Sequence, residues 1–155
     1  MIVAGIMTGT SVDGIDIVVV DFKDGESNYE ILTSKVHDFP KKLQESIIGL
    51  IAGSPKTCEF ICEVEESYED LLIGIVRNYM KNYKIDLVAL HGQTIFHRPK
   101  TANSPARSWQ LGRGRRISSE LEIPVAYDFR HADIFWIVKF IIEFYFFIKL
   151  ANCKL

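Results

Sequence analysis

Cysteine is scarce in this 155-residue chain, with Cys58, Cys62 and Cys153 the whole set. A sparse, odd number argues against a disulfide framework and suits a reducing cytoplasm. Cys58 and Cys62 stand one helical turn apart, but no histidine lies among their neighbours, so they make a poor metal pair. Excess charge is also lacking: 18 basic and 20 acidic residues leave a net charge of −2. That gives no electrostatic case for nucleic-acid binding. The basic clusters, Arg113-Gly114-Arg115-Arg116 and Lys41-Lys42, are short and read as solvated helix ends. The opening MIVAGIM lacks a basic region and a small-residue cleavage site, so it reads as a strand and not a signal peptide.

Apolar residues make up 48% of the chain, enough for one domain with a real core. Ile2 to Met7 and Ile15 to Phe22 read as buried strands, and Tyr29 to Val36 alternates as a third. Pro40 opens a helical pattern, Leu43, Ile47, Ile48, Leu50 and Ile51, that ends near Gly53-Ser54-Pro55. A long helix is expected from about Thr57 to Tyr83, with Ile61, Val64, Tyr68, Leu71, Leu72, Ile75, Val76 and Tyr79 at helical spacing. Its acidic run, Glu63, Glu65, Glu66, Glu69 and Asp70, is expected to be the wet face. Ile85 to Leu90 is a short strand. Ile95 to His97 and Ser108 to Leu111 are extended pieces around a polar loop, Arg116 to Leu121 is helical, and Ile123 to Tyr127 is a last strand. The first three strands suit an antiparallel meander. The later two need helical crossovers and so join in parallel. This predicts an α/β fold with a mixed five-stranded sheet and helices on its faces.

From Ile134 the composition changes. Between Ile134 and Leu150 only Lys139, Glu143 and Lys149 are charged. The run is shorter than the roughly 20 apolar residues of a membrane-spanning helix, and it has no clean periodicity. Its Phe, Ile, Lys, Tyr, Asn and Leu are residues of A/T-rich codons. The expectation is a domain over 1–133 followed by an aberrant tail, 134–155, from a frameshift or read-through. A membrane-associated tail and a packed helix are the alternatives.

Ligands of such folds bind outside the carboxyl ends of strands, and three polar clusters fall at strand ends. The first, Thr8 to Gly14, holds far more hydrogen-bonding capacity than a hairpin turn needs. Gly9 and Gly14 permit unusual backbone conformations and close approach of a ligand. The backbone N–H groups, with the Thr8, Thr10 and Ser11 hydroxyls, can cradle phosphate oxygens. Asp13 and Asp16 can hold Mg²⁺, directly or through water. No Gly-Lys-Ser/Thr and no helix follow, so this is not a Walker A loop. A plain polar hairpin with Asx-type turns is the other reading. The second cluster has His91 and His97 six residues apart, on one side of a strand, as a metal pair, a polar substrate wall or structural histidines. Gln93 and Arg98 suit hydroxyl or carboxylate recognition. The third has Asp128 and Arg130 on one side of a strand end, as a site or a salt-bridged pair. His37 and His131 carry no further signal.

Taken together, Gly5-Ile6-Met7-Thr8-Gly9-Thr10-Ser11-Val12-Asp13-Gly14-Ile15-Asp16, His91-Gly92-Gln93-Thr94-Ile95-Phe96-His97-Arg98-Pro99, Gln110-Leu111-Gly112 and Ile123-Pro124-Val125-Ala126-Tyr127-Asp128-Phe129-Arg130 with Asp133 resemble the anhydro-N-acetylmuramic acid kinase family. The resemblance runs from about residue 2 to 133. It implies most of the first lobe of a two-lobed actin/hexokinase-like sugar kinase, built on a mixed five-stranded, ribonuclease H-like sheet. It implies ATP and Mg²⁺ as cofactors and a cytoplasmic enzyme whose intact members form homodimers. It also implies a substrate, 1,6-anhydro-N-acetylmuramic acid, whose ring is opened by water and whose O6 is phosphorylated, giving N-acetylmuramic acid 6-phosphate for cell-wall recycling. Gly9, Thr10, Ser11, Val12, Asp13, Gly14, Ile15 and Asp16 would form the ATP loop, with Mg²⁺ at Asp13 and Asp16. His91, Gln93, Asp128 and Arg130 would face the sugar.

The family's Gly-Gly-Gln-Gly-Ala-Pro stretch, its Asn-Ile-Gly-Gly strand and its Asp-Thr-Gly-Pro-Gly-Asn loop do not occur here. The resemblance puts the base that activates water on the aspartate of that last loop, so no catalytic residue is assigned. Phosphoryl transfer needs both partners positioned in a closed cleft, so an inactive kinase fragment is expected. A lone lobe that binds phosphate or a partner without catalysis is the alternative. The apolar tail makes the expected chain marginally stable or prone to aggregate.

Overall fold

The computed structural model describes residues 1–23, 28–99, 101 and 103–129. The expected tail over 134–155, with Arg130, His131 and Asp133, lies outside them. The chain forms β1 (Ile2–Thr8), β2 (Ile15–Phe22), β3 (Tyr29–His37), α1 (Lys41–Ile51), α2 (Cys58–Met80), β4 (Leu87–Leu90), β5 (Gln93–Arg98), β6 (Arg107–Leu111), α3 (Gly114–Leu121) and β7 (Val125–Tyr127). Five strands form one mixed sheet in the order β3-β2-β1-β4-β7. β1, β2 and β3 pair antiparallel, and β4 and β7 add in parallel. The expected meander and crossovers are therefore both present. β5 and β6 pair as a separate two-stranded ribbon.

Period-two alternation decides which face of the sheet each residue serves. Ala4 and Ile6 of β1, Ile15, Ile17 and Val19 of β2, and Val88 and Leu90 of β4 are buried in one cluster with α1 and α2. α1 contributes Leu43, Ile47 and Leu50, and α2 contributes Val64, Tyr68, Leu72 and Val76. The intervening residues Met7, Val18 and Val20 form a smaller cluster on the other face. α2 starts where Thr57 caps it, its hydroxyl accepting from the Phe60 N–H at 3.1 Å. Such a cap satisfies an N–H that the helix leaves open.

The acidic run of α2 is not uniformly wet. Glu63, Glu66 and Asp70 are exposed, but Glu69 is fully buried. Its carboxylate accepts from the Arg113 backbone N–H at 2.8 Å, from Arg113 Nε at 3.0 Å and from Arg116 Nη1 at 3.3 Å. Arg116 also reaches Asp70 at 2.7 Å. The basic cluster is indeed a helix end, the start of α3, but it is an anchored one. A buried carboxylate at a helix N-terminus favours the exposed N–H groups there, and it locks α3 to α2. Burial raises the Glu65 carboxyl above its usual range, opposed by Arg113.

Two outcomes follow. Glu69→Ala should lower stability by about 2 kcal/mol, the scale of lost hydrogen bonds to a charged group, as read by urea unfolding. His37, at the end of β3, meets the Tyr79 hydroxyl through Nε2 at 2.9 Å. Burial first, and then Lys35, hold its pKa below the ordinary 6.5. The unfolded chain therefore takes up this proton more readily, and stability should fall as pH drops below 6.5. In His37→Gln that segment of the unfolding pH profile should flatten.

Candidate functional site

Parallel pairing brings the carboxyl ends of three strands to one edge. Ile6 of β1 is level with Leu90 of β4, and Leu90 is level with Tyr127 of β7. The next residues along are Met7-Thr8, His91-Gly92 and Asp128. The loop of residues 9–14 leaves from this same edge and returns as β2.

Within that loop Thr10, Ser11 and Asp13 are exposed, whereas Val12 and Gly14 are buried, as is Ile15 at the start of β2. The Val12 N–H donates to the Gly9 carbonyl at 3.2 Å, closing a turn. The Ser11 hydroxyl donates to Asp13 Oδ1 at 2.8 Å, so the local turn chemistry of a polar hairpin is real. Neither Gly9 nor Gly14 takes a positive φ; Val12 does, at 54°. Gly14 is instead a matter of space, because a Cβ there would stand 2.6 Å from Val36 Cγ1. Two glutamine amides reach in from outside the loop. Gln44 of α1 donates to the Val12 carbonyl at 2.7 Å, and Gln93 of β5 donates to the Gly9 carbonyl at 3.1 Å.

Thr8 is withdrawn from the expected phosphate cradle. It is buried, donates to the Gly92 carbonyl at 3.1 Å, and meets the Tyr68 hydroxyl at 3.2 Å. Since the threonine proton goes to a carbonyl, the tyrosine is the donor. Burial pushes the Tyr68 pKa well up, so this donor stays protonated. Gly92 O also lies 2.9 Å from His91 Nδ1. A carbonyl only accepts, so Nδ1 carries a proton.

Gln93 is fully buried. Its Nε2 faces two carbonyls, those of Gly9 at 3.1 Å and Thr94 at 3.2 Å. Its Oε1 is buried with no hydrogen-bond partner among the described residues. The amide therefore has no further donor to offer, and its one open capacity is an acceptor that solvent does not reach. That narrows the expected hydroxyl or carboxylate recognition to a hydroxyl, a water or an N–H group.

Several expectations need correction. His91 and His97 do not share a side: Gly92, at φ 76°, breaks the extended backbone between them, leaving His91 buried and His97 exposed. A metal pair is not formed there, and no group of three or more His, Cys, Asp or Glu able to hold a metal occurs among the described residues. β7 ends at Tyr127 and Asp128 turns to φ 65°, while Arg130, its expected partner, lies outside the described residues. Asp13 sits on the loop and Asp16 is half-buried on β2. Val12 and Ile15 belong to the core by their side chains, and their backbones are engaged within the fold, Val12 with Gly9 and Gln44 and Ile15 in register with Thr8 and His37. Sequence reasoning missed Gln44, which carried no signal beyond a polar residue in an amphipathic helix. A cavity of about 310 Å³ lies elsewhere, between α1 and α2, lined by Leu43, Phe60 and Val64 with Lys42 and Glu63.

The sequence pattern of the anhydro-N-acetylmuramic acid kinases matches residues 1–137. The chain belongs to that family. Its relatives include the anhydro-N-acetylmuramic acid kinase of Picosynechococcus sp. (strain ATCC 27264 / PCC 7002 / PR-6), 36% identical over 86% of this chain and 36% of the relative. That of Synechocystis sp. (strain ATCC 27184 / PCC 6803 / Kazusa) is 36% identical over 84% and 35%. That of Crocosphaera subtropica (strain ATCC 51142 / BH68) is 35% identical over 84% and 35%. The chain thus spans about a third of the length of the kinases it matches. Among solved structures it is similar to Thermus thermophilus RuvC, at 16% identity and a TM-score of 0.41 over 83% of this chain and 63% of that one.

Gly92 offers a direct check on the edge. A Cβ there would stand 2.7 Å from the Leu111 carbonyl, on a backbone at φ 76°. Gly92→Ala should cost at least ~1–2 kcal/mol from the left-handed backbone alone. Chemical denaturation of the two proteins side by side measures it.

Proposed function

We propose that this chain supplies the nucleotide-phosphate loop and part of the sugar wall of an ATP-dependent anhydro-sugar kinase. The observation that carries the reading is the buried Gln93 Oε1, without a hydrogen-bond partner among the described residues, beside the loop of residues 9–14. An orphan acceptor calls for a partner, and here it lies beside a loop whose Thr10, Ser11 and Asp13 are exposed, which supports a phosphate on the loop and a sugar hydroxyl near the amide. In this reading the backbone of Gly9 to Ile15, with Thr10 and Ser11, holds the ATP phosphates. Asp13 and Asp16 are the residues that would hold Mg²⁺, which commonly takes one or two carboxylates and keeps its remaining waters and phosphate oxygens. His91, Gln93, Asp128 and Arg130 form the sugar side.

The proposed substrate is 1,6-anhydro-N-acetylmuramic acid. Water adds at the anomeric carbon, the bond to O6 breaks, and O6 takes the terminal phosphoryl group of ATP, leaving ADP. The product is N-acetylmuramic acid 6-phosphate, for cell-wall recycling. These 155 residues contain no Asp-Thr-Gly loop to provide the base, so by themselves they bind without turning over.

Titration calorimetry of the chain with ATP tests this. Binding should require Mg²⁺ and be lost in EDTA, and Asp13→Ala should weaken it about tenfold, ~1.4 kcal/mol. Equal affinity in Asp13→Ala would remove the role given to that carboxylate. Phosphorylation of the anhydro-sugar by the unaided chain would overturn the claim of binding without turnover.

A further inference from the structure

Both glutamine amides that touch the loop engage carbonyl oxygens, Val12 for Gln44 and Gly9 for Gln93. In a trans peptide the C=O of one residue and the N–H of the next point in opposite directions, and no cis peptide bond occurs in the described chain. Drawing the Val12 carbonyl toward Gln44 therefore turns the Asp13 N–H away from it. Drawing the Gly9 carbonyl toward Gln93 does the same for the Thr10 N–H. A phosphate-binding loop needs this arrangement, because a carbonyl facing the ligand would repel it.

Val12 is where the loop is least able to hold itself. It is β-branched, and its φ of 54° lies in the left-handed region that such residues avoid. A strained residue persists only when its surroundings over-determine it. Here the side chain is fully buried, the N–H is tied to Gly9 and the carbonyl is tied to Gln44. The last tie comes from a rigid place, since Gln44 is next to Leu43 and three residues before Ile47, both buried in the core.

We infer that Gln44 is a positioning residue for the anion-binding loop, holding the Val12 carbonyl so that the Asp13 N–H faces the ligand. This rests on the nucleotide reading of the loop. It assigns a role to α1 that neither the motif nor the polar edge includes.

Gln44→Met tests it, because methionine keeps the length and helix preference of glutamine and removes only the donor and acceptor. The readouts are amide exchange of Val12 by nuclear magnetic resonance, affinity for Mg·ATP and the melting midpoint. The expected result is Val12 exchange at least about tenfold faster, with the β2 amides of Ile17 to Val20 unchanged. Mg·ATP affinity should fall about tenfold, ~1.4 kcal/mol, while the midpoint falls by no more than about 4 °C. Unchanged Val12 exchange overturns the proposal whatever the affinity does. Faster exchange with unchanged affinity overturns it too, reducing Gln44 to a structural contact. If the wild-type chain shows no affinity for Mg·ATP, the nucleotide reading fails, and faster Val12 exchange in Gln44→Met still supports the clamp. Gln44→Leu serves as the second variant should Gln44→Met not fold.

Discussion

β1 is hydrogen-bonded on both sides, antiparallel to β2 and parallel to β4, and the position of every polar cluster depends on that double pairing. Antiparallel pairing returns the chain at once, so the loop of residues 9–14 must lie at the carboxyl end of β1. Parallel pairing needs a crossover, and α1 and α2 provide it while covering one face of the sheet. β4 then ends level with β1, and β7 repeats the arrangement through α3. Segments more than 80 residues apart in sequence meet there, as the Gln93–Gly9 bond records with a separation of 84.

At that edge the backbone carbonyls are the organising groups. Gly9, Val12 and Gly92 each accept from side chains of other elements or from neighbouring turns. Gly92 O collects both the Thr8 hydroxyl and His91 Nδ1, and Tyr68 stands behind Thr8. Buried polar groups stabilise a fold only when their partners are in place. Gln93 Oε1, unpartnered among the described residues, stands apart from this rule, and a buried exception of that kind calls for an explanation.

The long helix α2 connects the two concerns. Its Tyr68 reaches the site through Thr8, and Glu69, one residue on, fixes the start of α3. α3 in turn leads into β7 and Asp128. Burial of Glu69 was within reach of helical geometry, because it lies four residues before the buried Ile73 and three before the buried Leu72. Its charge and its acidic neighbours concealed it, and only the arginines of a segment more than 40 residues on make its burial affordable.

The element order, the antiparallel meander, the parallel additions and the meeting of three strand ends on one edge were all readable from the chain. They follow from apolar periodicity, from turn residues and from the length of connections, which are local quantities. The family too was legible, because its motifs are short and contiguous. Tertiary structure alone decided the rest. It moved Thr8 from ligand cradle to core, buried Glu69, separated His91 from His97 and placed the positive φ on Val12 and not on either loop glycine. It also brought Gln44 to the loop across 32 residues. Each of these depends on which donor meets which acceptor across the fold, and no periodicity along the chain carries that information.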